Sequence, residues 1–238
     1  HSPMYFFLFN LSFIDFSYSS AIIPKMLVSF VSKNIISYTG CMTQLFFFCF
    51  FVTSEAFILS AMAYDRYVAI CKPLLYTVTM SPQVCLFLLL GVYGMAAAGA
   101  LVHTGNILSL VFCADNLVNH YMCDILPLLE LSCNNSYMNL LVLFIGAAII
   151  IGVSIVTIFL SYGFILSSVF HISSTEGRSK AFSTCGSHIL AVSLFFGSGT
   201  FAYLKPPSII PLDQGKVCTL FYTIVVPMLN PLIYSLRN

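Results

Sequence analysis

The sequence predicts an all-α membrane protein made of several spanning helices, and three observations predict it. Of its 238 residues, 59% are apolar and only 7% charged, whereas a domain facing water needs far more charge to cover its surface. Apolar runs of about 20 residues or more recur along the chain, each long enough to cross the hydrocarbon core as a helix. Between them lie short polar or proline-bearing stretches, with no sequence repeat and no soluble domain. A net charge of +1 without a basic cluster offers no surface for neutralising phosphates, which excludes nucleic-acid binding. Trp is absent, and 23 Phe supply ring packing suited to lipid.

Six runs are expected as helices: Met4 to Val31, Tyr38 to Cys71, Val84 to Leu101, Tyr137 to Phe170, Lys180 to Tyr203, and Val217 to Ser235. Turn-forming residues separate them at Ser32 to Asn34, Lys72 to Pro82, His103 to Ser136, Ser173 to Arg178 and Lys205 to Gly215. The first residue is His1, with no charged segment and cleavage site ahead of the first run. An amino-terminal helix and segment and a carboxy-terminal tail are therefore expected to lie outside this sequence, with residues 1–238 forming a single transmembrane domain.

Lys and Arg are shared too evenly between alternate loops to set the orientation. The cysteines set it instead. Cys113, Cys123 and Cys133 stand at equal spacing in the long connection between the third and fourth runs, and Cys41 opens the second run on the same side. Four thiols on one face imply two disulfides and an oxidising compartment, although three pairings are open from sequence. The same connection has no Lys or Arg and carries Asn134-Asn135-Ser136, a weak glycosylation sequon at Asn134. That side is expected to be extracellular, and both ends of this chain cytoplasmic.

In the second run Gln44, Glu55 and Arg66 are spaced eleven residues apart, about three turns each, so they share one helix face at separations of roughly 16 Å. Glu55 then sits near mid-membrane, where a carboxyl must face the bundle interior and find partners. Asp15 in the first run is the other deep acid. With Asn230 in the last run these could form a buried cluster that shares a proton or holds a cation with water; the bland alternative is a structural hydrogen-bond network. No other cofactor and no metal are expected. Gly94 and Ala98 read as a close helix-packing face, and His103 and His188 as packing or hydrogen-bonding residues.

Asp65-Arg66-Tyr67 closes the second run and by itself could be an interfacial anchor. Its surroundings, Met62-Ala63-Tyr64-Asp65-Arg66-Tyr67-Val68-Ala69-Ile70-Cys71, resemble the odorant (olfactory) receptor family of rhodopsin-like G-protein-coupled receptors. Pro3-Met4-Tyr5-Phe6-Phe7-Leu8, Lys180-Ala181-Phe182-Ser183-Thr184-Cys185 and Pro227-Met228-Leu229-Asn230-Pro231-Leu232-Ile233-Tyr234 resemble its second-, sixth- and seventh-helix motifs. Ser187-His188 and the opening segment are similar to the tetrapod-type class. The resemblance implies a seven-helix bundle of which helices two to seven are present. It also implies that Cys41 pairs with Cys123, and Cys113 with Cys133. His120, Cys123 and Asp124 match a loop segment proposed elsewhere to bind metal, but a disulfide-bonded Cys123 supplies no thiolate.

The implied function is olfaction: a small-molecule odorant binds among the helices and the receptor activates a stimulatory heterotrimeric G protein of the cAMP pathway. From the Glu55 face, Phe48, Cys49, Val52 and Thr53 are pocket candidates; Phe196, Gly199, Thr200 and Tyr203 follow from the sixth-helix spacing. The family's use of its fifth and seventh helices adds Gly146, Ile150, Tyr222 and Thr223. This lining carries hydroxyls and no charge in its outer half, which suits neutral alcohols, ketones or esters over amines and carboxylates. For the switch and G-protein surface the resemblance implicates Asp65, Arg66, Tyr67, Lys72, Arg178, Lys180, Asn230, Pro231 and Tyr234. Phe196, Leu75 and Asn119-His120-Tyr121-Met122 depart from the family pattern, which bears on gating and coupling strength.

No P-loop, H-E-x-x-H or G-x-S-x-G motif is present, so no enzyme is expected. Two alternatives compete with a working receptor. A transporter or channel would use buried acids along an ion path but also predicts internal repeats; a nonfunctional receptor remnant would show an interrupted upstream reading frame.

Overall fold

The computed structural model describes residues 2–31, 36–112, 122–133, 136–171, 174–204 and 220–235. Helix α1 spans Pro3–Val31, α2 Tyr38–Cys71, α4 Pro82–Leu108, α6 Tyr137–Phe170 and α7 Thr175–Leu204. Between α2 and α4 lie a 3-10 turn, Pro73–Leu75, and the short α3, Tyr76–Thr79; α5, Ile125–Glu130, lies before α6. The last described helix is a π-helical turn, Phe221–Val225, continuing into α8, Val226–Ser235. Five of these helices are long and apolar enough to cross a membrane, and the apolar stretch Phe221–Tyr234 is shorter within the described residues.

Local chemistry explains the boundaries. The Ser37 side chain accepts from the Gly40 amide at 3.2 Å and starts α2, while Ser81 accepts from Val84 with Pro82 just inside α4. Two runs are longer than their apolar content predicts. Helix α4 continues beyond Leu101 through His103, Thr104 and Asn106 because this polar turn is matched across the bundle: Asn106 donates to the Asn139 carbonyl at 2.8 Å and Asn139 donates back to the Asn106 carbonyl at 2.8 Å. Helix α7 begins before Lys180, at Thr175, where Ser174 accepts from the Gly177 amide at 3.2 Å. The caps and cross-helix bonds satisfy polar groups that a hydropathy reading assigns to loops.

Helix α2 is the central element and packs against α1, α4, α6 and α7. It meets α1 along Phe7, Leu11, Ile14, Tyr18 and Ile22, a buried stripe at helical spacing. Helix α4 turns Ala96 and Ala100 inward, both fully buried, and a side chain on Gly99 would touch Thr53 and Ile150. The expected packing pair Gly94 and Ala98 lies on the opposite, exposed side. Both pairs satisfy a small-xxx-small pattern within one run of small residues, so spacing alone selects neither. Large apolar side chains such as Phe9, Phe16, Phe87 and Phe159 are exposed, the pattern of a bundle solvated by lipid rather than water.

Buried apolar residues form two main clusters along the bundle axis. One gathers Tyr18, Leu45, Phe48, Cys49, Met122, Ile125 and Tyr222 at the end bearing the disulfide. The other gathers Phe7, Leu11, Ile14, Leu59, Met62, Val68 and Tyr234 toward the Asp65-Arg66 end. In lipid, apolar burial gives helices little reason to associate, so dispersion packing and interhelical hydrogen bonds carry the load. That makes the polar contacts at and beside these clusters structurally informative.

Candidate ligand and switch site

At one end the connection after α4 folds back over the bundle. Cys41 and Cys123 form a disulfide with their Cα atoms 5.4 Å apart. Phe112 and Ser132 form an isolated antiparallel bridge, and the Cys133 amide donates to the Val111 carbonyl at 2.9 Å. Cys133 is itself disulfide-bonded; Cys113, Asn119 to Tyr121 and Asn134 lie outside the described residues. Gln44 clamps this region: its Nε2 donates to the Ala21 carbonyl at 3.2 Å, and its Oε1 accepts from the Cys123 amide at 3.0 Å. The amide thus joins α1, α2 and the tethered segment, a role that helix-face spacing did not disclose.

Beneath the tethered segment is an aromatic layer. Phe48 lies 5.9 Å from the ring of Tyr18 and 6.5 Å from that of Tyr222. Cys49, Thr53, Tyr222 and Thr223 are buried beside it, with Val52 and Ile150 half-buried. Tyr222 and Thr223 sit in the π-helical turn, whose extra residue rotates the following face, a device common at functional sites.

Three structural details of this layer go beyond the sequence reading. A Cβ at Gly146 would stand 2.7 Å from His103 Cε1 and 2.9 Å from Nε2, so the imidazole fills the notch that this glycine leaves. On α7 the inward stripe runs through Cys185, His188 and Ala191 and on to Phe195, which leaves Thr200 exposed and Phe196 and Gly199 only half-buried. Tyr203 is helical, with its side chain outside the described residues. Finally, the layer does hold a charged residue. Asp124 is 6% exposed, its Oδ1 accepts from the Ile125 amide at 2.7 Å, and its Oδ2 lies 3.5 Å from the Tyr222 hydroxyl. The sequence signal was its place beside Cys123: a residue next to a half-cystine tied to α2 has to lie over the mouth of the bundle.

At mid-bundle Asp15, Glu55 and Asn230 come together. Asn230 Nδ2 donates to Glu55 Oε1 at 2.9 Å and lies 3.2 Å from Asp15 Oδ2 and 3.4 Å from Oδ1. Glu55 Oε2 and Asn230 Oδ1 are buried with no hydrogen-bond partner among the described residues. Next to this centre, His188 crosses three helices. Its Nε2 lies 3.0 Å from the Leu59 carbonyl and its Nδ1 2.7 Å from the Tyr162 hydroxyl. A carbonyl oxygen only accepts, so Nε2 carries the proton and Nδ1 accepts from Tyr162.

At the far end Asp65 and Arg66 are buried, 2% and 4% exposed. Asp65 Oδ1 accepts from the Tyr76 hydroxyl at 2.8 Å, and Arg66 Nη2 contacts Met4 Sδ. Burial first, then neighbouring Asp65, pushes the Tyr76 phenol above its ordinary range, so it remains a proton donor at physiological pH. Lys72 is exposed with Nζ 5.5 Å from the centre of the half-buried Tyr67 ring, and Arg178 Nη2 donates to the Phe170 carbonyl at 3.4 Å. Tyr234 is buried and Pro231 exposed; the Lys180 side chain lies outside the described residues. No cluster of three His, Cys, Asp or Glu suited to a metal occurs among the described residues.

The olfactory receptor family model matches residues 1–238. Human olfactory receptor 8B12 is 77% identical over all of this chain and 77% of its own length. Mouse olfactory receptor 8B8 is likewise 77% identical over all of this chain, and human olfactory receptor 8B8 74%. Squid rhodopsin superposes with a TM-score of 0.75 at 20% identity, over 99% of this chain and 68% of its own, a likeness of fold. These matches displace the transporter and channel readings, and the chain belongs to the olfactory receptor family of rhodopsin-like, multi-pass membrane receptors that couple to G proteins.

Proposed function

We propose that this olfactory receptor binds small, neutral, largely apolar volatiles in a pocket among its helices and activates a stimulatory heterotrimeric G protein, raising cAMP. The observation that carries the reading is the layering along α2. An aromatic layer around Phe48, Cys49, Thr53 and Tyr222 lies toward the disulfide end from the buried Asp15, Glu55 and Asn230, and Asp65 and Arg66 lie beyond. An apolar lining with a few directional polar groups suits a small uncharged ligand. Ligand preference for one of two helix arrangements would shift the population toward the state open to the G protein, with Arg66 and Tyr234 as switch residues and Lys72, Arg178 and Lys180 on the docking surface.

Residues 1–238 act as one transmembrane domain in the cell membrane, with the disulfide end extracellular and both ends of this chain cytoplasmic. The oxidised Cys41 and Cys123 at one end, with Lys72 and Arg178 at the other, support that orientation. Glu55 Oε2 and Asn230 Oδ1, which have no hydrogen-bond partner among the described residues, support a cation or water among the central groups. A cAMP dose–response panel tests the ligand class: neutral alcohols, ketones and esters are expected to activate, and strong selective activation by amines or carboxylates would overturn the reading.

A further inference from the structure

Gln44 makes two hydrogen bonds that join three parts of the chain. Its Nε2 donates to the Ala21 carbonyl of α1 at 3.2 Å, and its Oε1 accepts from the Cys123 amide at 3.0 Å. These partners require a side chain that ends in both a donor and an acceptor, which a primary amide does and a carboxylate or an amine does not. The α1 contact has a cause in the sequence. Pro24, inside α1, has no N–H, and its ring crowds the carbonyls of the preceding turn, where Ala21 lies. On α2, Gln44 stands about one turn from Cys41 on the same face. Cys123 is therefore attached to α2 twice, through its sulfur to Cys41 and through its main chain to Gln44. A disulfide limits how far the segment can travel but leaves it free to swivel about single bonds, and the main-chain hydrogen bond removes that freedom. With both links in place Met122 and Ile125 pack into one buried cluster with Tyr18, Phe48 and Tyr222, and Gln44 is itself buried.

We propose that Gln44 is the latch of the tethered segment: its amide holds residues 122–125 down on the aromatic layer in an orientation that the Cys41–Cys123 disulfide does not impose, and the segment lifts only when the latch opens. Gln44 is a positioning residue and touches no ligand. Its link to the odorant response rests on the reading above that ligands bind among the helices. The latched segment then favours their binding as a group, whatever polar function each carries.

Hydrogen–deuterium exchange tests the latch without any ligand. A hydrogen-bonded amide exchanges when its local structure opens. Gln44→Met keeps the length of the side chain and removes both hydrogen bonds. It is expected to speed exchange in the peptide carrying Cys123 by about two- to tenfold, the scale of one hydrogen bond, with the disulfide intact by mass. In cells that report cAMP, the same variant is expected to raise the EC50 of each activating alcohol, ketone and ester by about two- to tenfold, at unchanged maximal response and matched surface expression. Gln44→Glu separates latching from packing. Its carboxylate still accepts from Cys123 but sets a second oxygen against the Ala21 carbonyl, and protonation supplies the missing donor. Its EC50 is expected to exceed that of wild type at about pH 8 and to return toward it at about pH 5. Wild type, which carries the same Asp124 and Lys25, is the reference at each pH.

Unchanged exchange at Cys123 in Gln44→Met would overturn the latch. So would an EC50 equal to wild type, a shift confined to one ligand class, or a Gln44→Glu EC50 that follows the wild-type pH profile. If Gln44→Met alone fails to reach the surface, Gln44→Glu carries the test, since its pH response compares one folded protein with itself; failure of both would make Gln44 a folding residue and sink the proposal. A wild type silent to the neutral series but activated by amines or carboxylates would overturn the ligand-class reading alone, and the exchange result would still decide the latch.

Discussion

Asn230 Nδ2 donates to Glu55 Oε1 at 2.9 Å, and the same nitrogen lies 3.2 Å from Asp15 Oδ2. One amide therefore stands between two acids drawn from α1 and α2, and it is the last helix that supplies it. Asn230→Ala removes the donor and leaves two buried acceptor groups facing each other. The cost is expected to be about 1–3 kcal/mol, the penalty for stranding a buried polar group. Thermal unfolding of the detergent-solubilised receptor checks it, and an unchanged melting temperature would show that the amide does not hold the helices together. If a cation occupies the centre, sodium raises that temperature in wild type and not in the Asp15→Asn, Glu55→Gln double variant.

Gly146 faces the imidazole of His103 so closely that Gly146→Ala forces the ring to move. Displacing a wedged ring in a packed interface is expected to cost about 1–3 kcal/mol, and His103→Ala should restore much of it in a double-mutant cycle. A residue that instead lines the ligand cavity would change odorant EC50 with little effect on stability. Measuring both quantities separates the two roles, and a pure EC50 shift would sink the packing explanation.

What the sequence disclosed and what it withheld divides along the range of the forces involved. The face shared by Gln44, Glu55 and Arg66 follows from helix periodicity, which is local, and all three are buried. The ends of α2 and α6 coincide with their apolar runs, since a long hydrophobic stretch bounded by polar residues leaves little freedom. Phase is harder where every face is apolar. On α7 one stripe passes through Phe196 and Thr200 and another through His188 and Phe195; only contact with α2 selects the second. Helix α4 poses the same ambiguity within its run of Gly and Ala. Asp124 shows the longest-range dependence, because a loop residue reaches the aromatic layer only through a disulfide to another helix.

His188 joins α7 to α2 through the Leu59 carbonyl and to α6 through Tyr162. Tyr162→Phe deletes one hydroxyl and leaves Nδ1 without that donor. Interhelical hydrogen bonds in membrane proteins contribute about 0.6–2 kcal/mol each, so a loss in that range is expected from unfolding measurements. His188→Ala should cost more, because it also removes a fully buried ring stacked 5.7 Å from Tyr162. Equal effects from the two substitutions would mean that the hydroxyl carries the whole contact and the ring packing none of it.

Asp65 and Arg66 are adjacent and both buried, yet they are held differently: Asp65 accepts from Tyr76 in α3, while Arg66 reaches Met4 at the start of α1. Arg66→Ala is expected to preserve membrane insertion and abolish the cAMP response, since the side chain is proposed to act in switching rather than in spanning. Tyr76→Phe removes the donor to Asp65 while keeping the ring, and should loosen the tie between α2 and the segment that follows it. Its predicted signature is a change in basal cAMP of about two- to tenfold, the scale of a hydrogen bond worth about 0.5–1.5 kcal/mol, with odorant EC50 little altered. Both variants are compared with wild type at matched surface expression. Undiminished signalling by Arg66→Ala would remove this end of α2 from the switch, whereas a basal level in Tyr76→Phe equal to wild type would confine the Asp65 contact to local structure.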